Sequence, residues 1–222
     1  MSWPSDVLSV TDLARLAPHS PGRRFLLGIA GPPGAGKSTL AELLSAELTR
    51  SGRCAVVAPM DGYHLRNEIL RARGALARKG EPDTFDAEGF VTDLRALRAT
   101  PIGEPVPWPL FDRAIDEPTD GGVIVRDEDI VIVEGNYLLL TDAEAPGWAE
   151  VRGLLDICWY LDAPRAVLTE RLLHRHTAGG RSAAEAMVKV SDSDLRNADL
   201  VAASRHRADQ VLTAEDAGYR IG

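Results

Sequence analysis

The chain has 222 residues, 45% of them hydrophobic and 26% charged, a balance that builds a globular core and excludes collagen-like repeats and wholesale disorder. Thirty-three acidic residues against 25 basic ones give a net charge of −8, which argues against a nucleic acid polymer as partner, since binding such polymers rests on neutralising phosphates. Apolar runs such as residues 130–133 and 137–140 fall far short of the roughly 20 residues that span a bilayer. No membrane partner is expected, and because the first residues lack the pattern of a secretory leader, the expected location is the cytoplasm.

In chain order, residues 5–17 read as a short amphipathic helix (Val7, Leu8, Val10, Leu13, Leu16) ended by Pro18. It belongs to an N-terminal extension, residues 1–22, that is expected to pack outside the core. Residues 23–30 form a continuous apolar strand, after which Gly31 opens a loop that leads into a helix. Leu40, Leu43, Leu44 and Leu48 share one face of that helix until Gly52 stops it. Further strands are expected at 54–59, 130–133, 157–161 and 209–213, with helices between them. One helix covers 86–97, with Phe90, Val91, Leu94 and Leu97 inward; another covers 164–174, with Asp162 as its N-cap. Strands alternating with helices imply one α/β domain with a five-stranded parallel sheet covered on both faces. Cys54 and Cys158 sit in strand-like runs without metal-ligand spacing and read as small buried hydrophobes.

The exception is residues 100–122, with five prolines, three glycines and no helical period. A connection of this length that lacks structure is usually functional or disordered. It also holds Trp108, Phe111, Asp112 and Arg113, which a linker does not need, so the segment, extended to residue 126, is read as an insertion that binds the substrate.

Residues 31–38, Gly-Pro-Pro-Gly-Ala-Gly-Lys-Ser, satisfy G-x-x-x-x-G-K-[ST] between a buried strand and an amphipathic helix. The amides around Gly31, Gly34, Ala35 and Gly36 curl into a nest for phosphate, and the helix that begins at Lys37, Ser38 and Thr39 adds its positive N-terminal end. Lys37 is expected to reach the β- and γ-phosphates of ATP and the Ser38 hydroxyl a Mg²⁺ ion. The fold is therefore expected to be a P-loop NTPase three-layer sandwich. A GTPase would carry Asn-Lys-x-Asp, yet the chain has only three lysines, and of the other two Lys79 follows Arg78 and Lys189 follows Val188.

Asp61 follows the second strand, at the carboxyl end where open α/β sheets gather ligands. There it can act as the base that takes a proton from an attacking hydroxyl, or simply form the turn before Gly62. His64 suits substrate contact or a structural hydrogen bond. Glu134 ends the strand at 130–133, the position from which a carboxylate holds magnesium, and Gly135 after it allows close approach of another group. Arg171, Arg175 and Arg181 follow on a helix and loop, where they suit a lid, residues 174–196, closing over ATP, unless they line a solvated face. His174 and His176 lack a third metal ligand at suitable spacing.

With these motifs in place, the chain resembles the uridine kinase, pantothenate kinase and phosphoribulokinase superfamily of P-loop small-molecule kinases. The resemblance is nearest to bacterial proteins labelled "nucleoside/nucleotide kinase family" or "putative fructose transport system kinase". It runs nearly end to end, through the phosphate loop at 28–39, the Asp-Gly element at 60–65, Glu-Pro-Asp-Thr-Phe-Asp at 81–86, Pro-Leu-Phe-Asp-Arg at 109–113 and Glu-Gly-Asn-Tyr at 134–137. It implies an ATP- and Mg²⁺-dependent kinase acting on a hydroxyl of a small metabolite, with Asp61 as base and Tyr63, His64, Phe111, Asp112 and Arg113 facing the acceptor. Asp116, and Gly80 or its neighbour, stand where uridine kinases place a histidine and an aspartate for the nucleoside. The rival class is a nucleotide-binding regulatory module whose segment at 100–122 docks a protein. Oligomeric state is left open, with a homodimer among the options.

Overall fold

The computed structural model describes residues 7–18 and 22–222. Five strands form a parallel sheet: β1 (Phe25–Ala30), β2 (Ala55–Pro59), β5 (Ile130–Gly135), β6 (Ile157–Asp162) and β7 (Gln210–Glu215). The spatial order is β2-β5-β1-β6-β7, and an antiparallel edge strand, β8 (Gly218–Ile221), adds a sixth. Helices α1 (Val10–Leu16), α2 (Lys37–Arg50), α3 (Asn67–Ala72) and α4 (Ala87–Ala99) precede β5; α5 (Val151–Leu154), α6 (Arg165–Ala178), α7 (Ala183–Lys189) and α8 (Leu195–Ala203) follow it.

The parallel strands other than β7 are apolar on both faces, and each face builds its own core. Along β1, Leu26 and Ala30 enter one core with Phe90, Trp108, Tyr137 and Trp148. Phe25, Leu27 and Ile29 enter the other with Leu40, Leu44 and Leu172. This is the three-layer arrangement that the run of apolar strands implies. Asp86 caps α4 by accepting from the Gly89 amide at 2.9 Å.

Several expectations need correction. The segment at 100–126 is not structureless: β3 (Val106–Asp112) and β4 (Glu117–Val125) pair as an antiparallel hairpin. The prolines concealed it, yet a two-stranded ribbon has only edges, where a missing N–H is tolerated. The register shifts between Trp108 and Leu110, at Pro109. Helix α1 does not lie outside the core, because Leu13 is fully buried in the same core as Leu40 and Leu44. Residues 1–6 and 19–21 of that extension lie outside the described residues. Leu43 is 49% exposed, at the edge of its helix stripe. Asp162 does not cap α6, whose N-cap is Pro164; its carboxylate instead accepts from the Ala163 amide and Arg205. Cys158 is buried, but Cys54, just ahead of β2, is exposed.

Candidate active site

The carboxyl ends of β1, β2 and β5 open on one cleft of about 1200 Å³. Beyond β1 the loop turns into α2 through Gly36, which serves as a left-handed N-cap at φ 102°. A side chain at Gly31 would collide with the Leu161 carbonyl of β6, so glycine is required where the loop leaves the sheet. Lys37 is buried, its ammonium donating to Asn136 Oδ1 at 2.6 Å and to the Pro32 carbonyl at 3.0 Å. Ser38 Oγ donates to Glu134 Oε1 at 3.0 Å. Burial holds the Glu134 carboxyl above the usual range, with Asp61 adding to the effect, and pulls the Lys37 ammonium below its ordinary value, with Glu134 opposing.

Asp61 sits in a 3₁₀ turn, Met60–Tyr63, directly after β2. Pro59 pairs with Glu134 across the sheet, so the two acidic positions emerge side by side. The glycines next to them have steric reasons. A Cβ at Gly135 would strike Met60, and one at Gly62 would strike the Pro109 carbonyl of the hairpin. The hairpin therefore lies against the turn that carries Asp61. It is tied there by Trp108 Nε1, which donates to the Pro59 carbonyl at 3.0 Å, and by Arg113 Nη2, 3.2 Å from Asp61 Oδ2.

The remaining acceptor candidates divide. His64, Phe111 and Arg113 line the cleft with Asp61. The His64 ring contacts Phe85 and Phe111, at centroid distances of 4.0 and 4.5 Å. Its Nδ1 lies 2.7 Å from the Asp61 carbonyl, and burial favours its neutral form. Tyr63 and Asp112 must be reassigned. Tyr63 turns into the core between Phe90 and Trp108, and its hydroxyl donates to Asp93 Oδ2 at 2.7 Å. Asp112 accepts from the Ala114 amide at 2.8 Å and shapes the hairpin turn.

The three arginines line the cleft but differ in attachment. Arg171 donates to the carbonyls of Gly34 and Ala35 at 3.2 and 3.1 Å, bracing the loop. Arg175 lies 4.0 Å from Asp194. Arg181 donates to His176 Nδ1 at 2.7 Å, and His176 Nε2 meets Asp194 Oδ2 at 2.5 Å. Since a guanidinium can only donate, the ring proton lies on Nε2. His176 and Asp194 are both buried, Asp194 being supplied by a π turn, Val190–Asp194, between α7 and α8.

Sequence reasoning passed over Asn136, Asn67, Arg71, Lys79, Lys189 and Asp194, all of which line the cleft. One signal was available, because all three lysines of this lysine-poor chain face the same space. The donor set of hydroxyl and carboxylate oxygens from Ser38, Glu134 and Asp61, under a glycine cradle with a buried lysine, fits a magnesium nucleotide. Among the described residues no cluster of His, Cys, Asp and Glu suits a protein-only metal cage, and no helix is long and apolar enough to cross a membrane.

Comparison with known proteins agrees with this architecture. A family profile described as "Methylmalonyl Co-A mutase-associated GTPase MeaB" matches residues 4–64, which cover the phosphate loop and its flanking strands. A solved structure from Silicibacter sp. TM1040, described as a "putative fructose transport system kinase", is 40% identical, covers 94% of this chain and all of its own, and superposes with a TM-score of 0.82. "Putative uridine kinase C227.14" of Schizosaccharomyces pombe is 36% identical over 86% of this chain and 83% of its own length. The pantothenate kinase of Corynebacterium diphtheriae is 37% identical over 69% of this chain, which spans only 48% of that longer protein. On these relatives, near full length in two cases, the chain belongs to the P-loop small-molecule kinase superfamily of the uridine and pantothenate kinases.

Proposed function

We propose that the protein transfers the γ-phosphate of ATP to a hydroxyl of a small metabolite. The observation that carries this reading is the meeting of Asp61 with Lys37, Ser38 and Glu134 at one end of the sheet, against a hairpin wall. Phosphate-loop proteins that only hydrolyse nucleotide have to position a water, whereas a half-open cleft walled by Phe85 and Phe111 can seat a second molecule. In this reading Asp61 takes the hydroxyl proton as the acceptor oxygen bonds to the γ-phosphorus. The bond to the β–γ bridging oxygen breaks, and ADP leaves with the electron pair. Lys37 and the loop amides hold the phosphates, while Arg175, the most loosely tied of the three cleft arginines, faces the charge that spreads over the transferring group, and Arg171 and Arg181 brace the loop and His176 beside it. Ser38 and Glu134, with Asp61 beside them, would hold Mg²⁺, which supplies charge neutralisation between the phosphates.

ATP is favoured over GTP because neither Lys79 nor Lys189 belongs to a guanine-reading Asn-Lys-x-Asp motif. The test is coupled ADP release from MgATP across a panel of nucleosides, sugars, polyols and hydroxy acids, with Asp61→Asn alongside. The expected result is a rate stimulated by an acceptor that falls by roughly 10²- to 10⁴-fold in the variant while nucleotide binding persists. Stimulation of equal size in the variant would remove Asp61 from this role.

A further inference from the structure

The charge of the cleft is opposite to that of the chain. Three lysines and five arginines line it against five carboxylates, an excess of three positive charges in a protein of net charge −8. A magnesium nucleotide offsets about two of these. The residues that surround the acceptor side then decide where the remainder lies.

Lys37 feels Glu134, Asp61, Arg175 and Arg113, whereas His64 feels Asp61, Lys79 and Asp116. Asp61 therefore stands between a nucleotide cluster and a second cluster around Lys79. Several cations are already committed. Lys189 uses its three donors on the carbonyls of Ala77 and Lys79 and on Ser193 Oγ, which makes it a staple between α7 and the loop before residue 80. Arg171 is fixed on loop carbonyls and Arg181 on His176.

Lys79 is different. Its side chain is only 10% exposed, its ammonium lies 5.0 Å from the centre of the Phe111 ring, and two of its three donors go to Asn67 Oδ1 at 2.7 Å and to the Asp116 carbonyl. The third goes to the Asp116 carboxylate at 3.2 Å, its only anionic partner among the described residues, and that carboxylate is 64% exposed. Asp116 is mounted at the hairpin tip with φ 54°, and it is the one non-glycine residue of positive φ among those described. An exposed carboxylate on a strained residue is a counter-ion that a ligand can replace. One turn along α3 from Asn67, on the same face, Arg71 lines the cleft with no side-chain partner among the described residues. Meanwhile the His64 ring packs against both Phe85 and Phe111, so these rings meet one another through His64 and do not leave two parallel faces free to sandwich a flat ring.

We infer that the phosphate acceptor carries an anionic group, a carboxylate or a phosphate, bound by Lys79 and Arg71 on the side of Asp61 away from the phosphate loop. This rests on the kinase reading and narrows its acceptor class.

Matched pairs of hydroxyl compounds test it at saturating MgATP. Glycerate is compared with glycerol and pantothenate with panthenol for the carboxylate arm, ribose 5-phosphate with ribose for the phosphate arm. An anionic member is expected to exceed its neutral partner in kcat/KM by about 10-fold or more, and the arm that responds identifies the group. Lys79→Met and Arg71→Ala are each expected to raise KM for that acceptor about 10- to 100-fold with KM for ATP unchanged, and Lys79→Arg to recover part of the loss. Neutral members turned over as well as anionic ones, or an acceptor KM unmoved by both variants, would overturn the anion site and leave the kinase reading intact. If no compound raises ADP release, the kinase reading fails, and calorimetry of the same anionic probes on the MgADP complex decides the anion site separately. Binding lost in Lys79→Met sustains it; no binding by any anionic probe overturns it.

Discussion

Asp61 is fixed by its neighbours more than by its own bonds. Met60 is locked against Gly135, the Pro59 carbonyl is held by the Trp108 indole, and Arg113 faces the carboxylate. Tyr63, two residues on, shows how closely function and packing are interleaved in such a turn. Its hydroxyl is committed to Asp93, so Tyr63→Phe is expected to lower stability by about 1–2 kcal/mol while leaving the acceptor KM unchanged. Denaturant unfolding and steady-state kinetics read the two effects, and a several-fold change in KM would return Tyr63 to the acceptor wall. The motif residues were legible because their chemistry is local: Gly31 to Ser38 specify a loop shape by themselves. Whether Tyr63 or His64 faced the cleft was not, because a 3₁₀ turn has neither the alternation of a strand nor the period of a helix. Asn136 and Asp194 escaped for another reason, since each acts through a partner far along the chain, Lys37 or His176.

The element that most shapes the site is the hairpin β3–β4. Its base is held by the buried Arg24 guanidinium, which donates to the carbonyls of Thr100, Glu104 and Arg126 at 2.6, 2.9 and 2.8 Å. Its body rests on Gly62, and its tip reaches α3, where Glu117 accepts from the Asn67 amide at 3.1 Å. Gly62→Ala must push the hairpin away from Asp61. The expected cost is about 1–3 kcal/mol of stability, with a loss of acceptor kcat/KM of at least 10-fold and little change in nucleotide affinity by calorimetry. Unaltered acceptor kinetics in a folded variant would show that the hairpin does not form the acceptor wall. Val106 and Trp108 point inward and Pro107 outward, an alternation the sequence does contain. Five prolines and three glycines in 23 residues masked it. On the other side of the cleft, the Asp194–His176–Arg181 chain joins α6, its following loop and the π turn, so the arginines in this region are mounted on a buried polar link rather than carried by a free charged helix.

At the scale of the whole molecule, two cores back the six-stranded sheet, and the site lies where the ends of β1, β5 and the edge strand β2 meet the hairpin. Four of the five parallel strands, β1, β2, β5 and β6, could be read as apolar runs because burial on both faces leaves little polar alternation, whereas β7 is largely exposed and shows one buried residue, Leu212. The sixth was not legible, since β8 is four residues long and gains its place by pairing with β7 and by its link to Leu8 at Tyr219. That link and α1 close the face opposite the hairpin. Leu13→Ala is therefore expected to cost about 2–5 kcal/mol in unfolding free energy, as for a core leucine, with kcat/KM unchanged below the melting transition. A cost near zero would restore α1 to a peripheral extension.

The central claim is that a phosphoryl group moves from nucleotide to a hydroxyl of a second molecule under the control of Asp61. Incubation of the protein with an acceptor panel and ATP labelled with ¹⁸O in the γ-phosphate, followed by mass spectrometry of the products, tests it most directly. The account predicts a phosphorylated acceptor bearing the label, strongly diminished in Asp61→Asn. Label recovered only in inorganic phosphate, at the same rate with and without every acceptor, would contradict it.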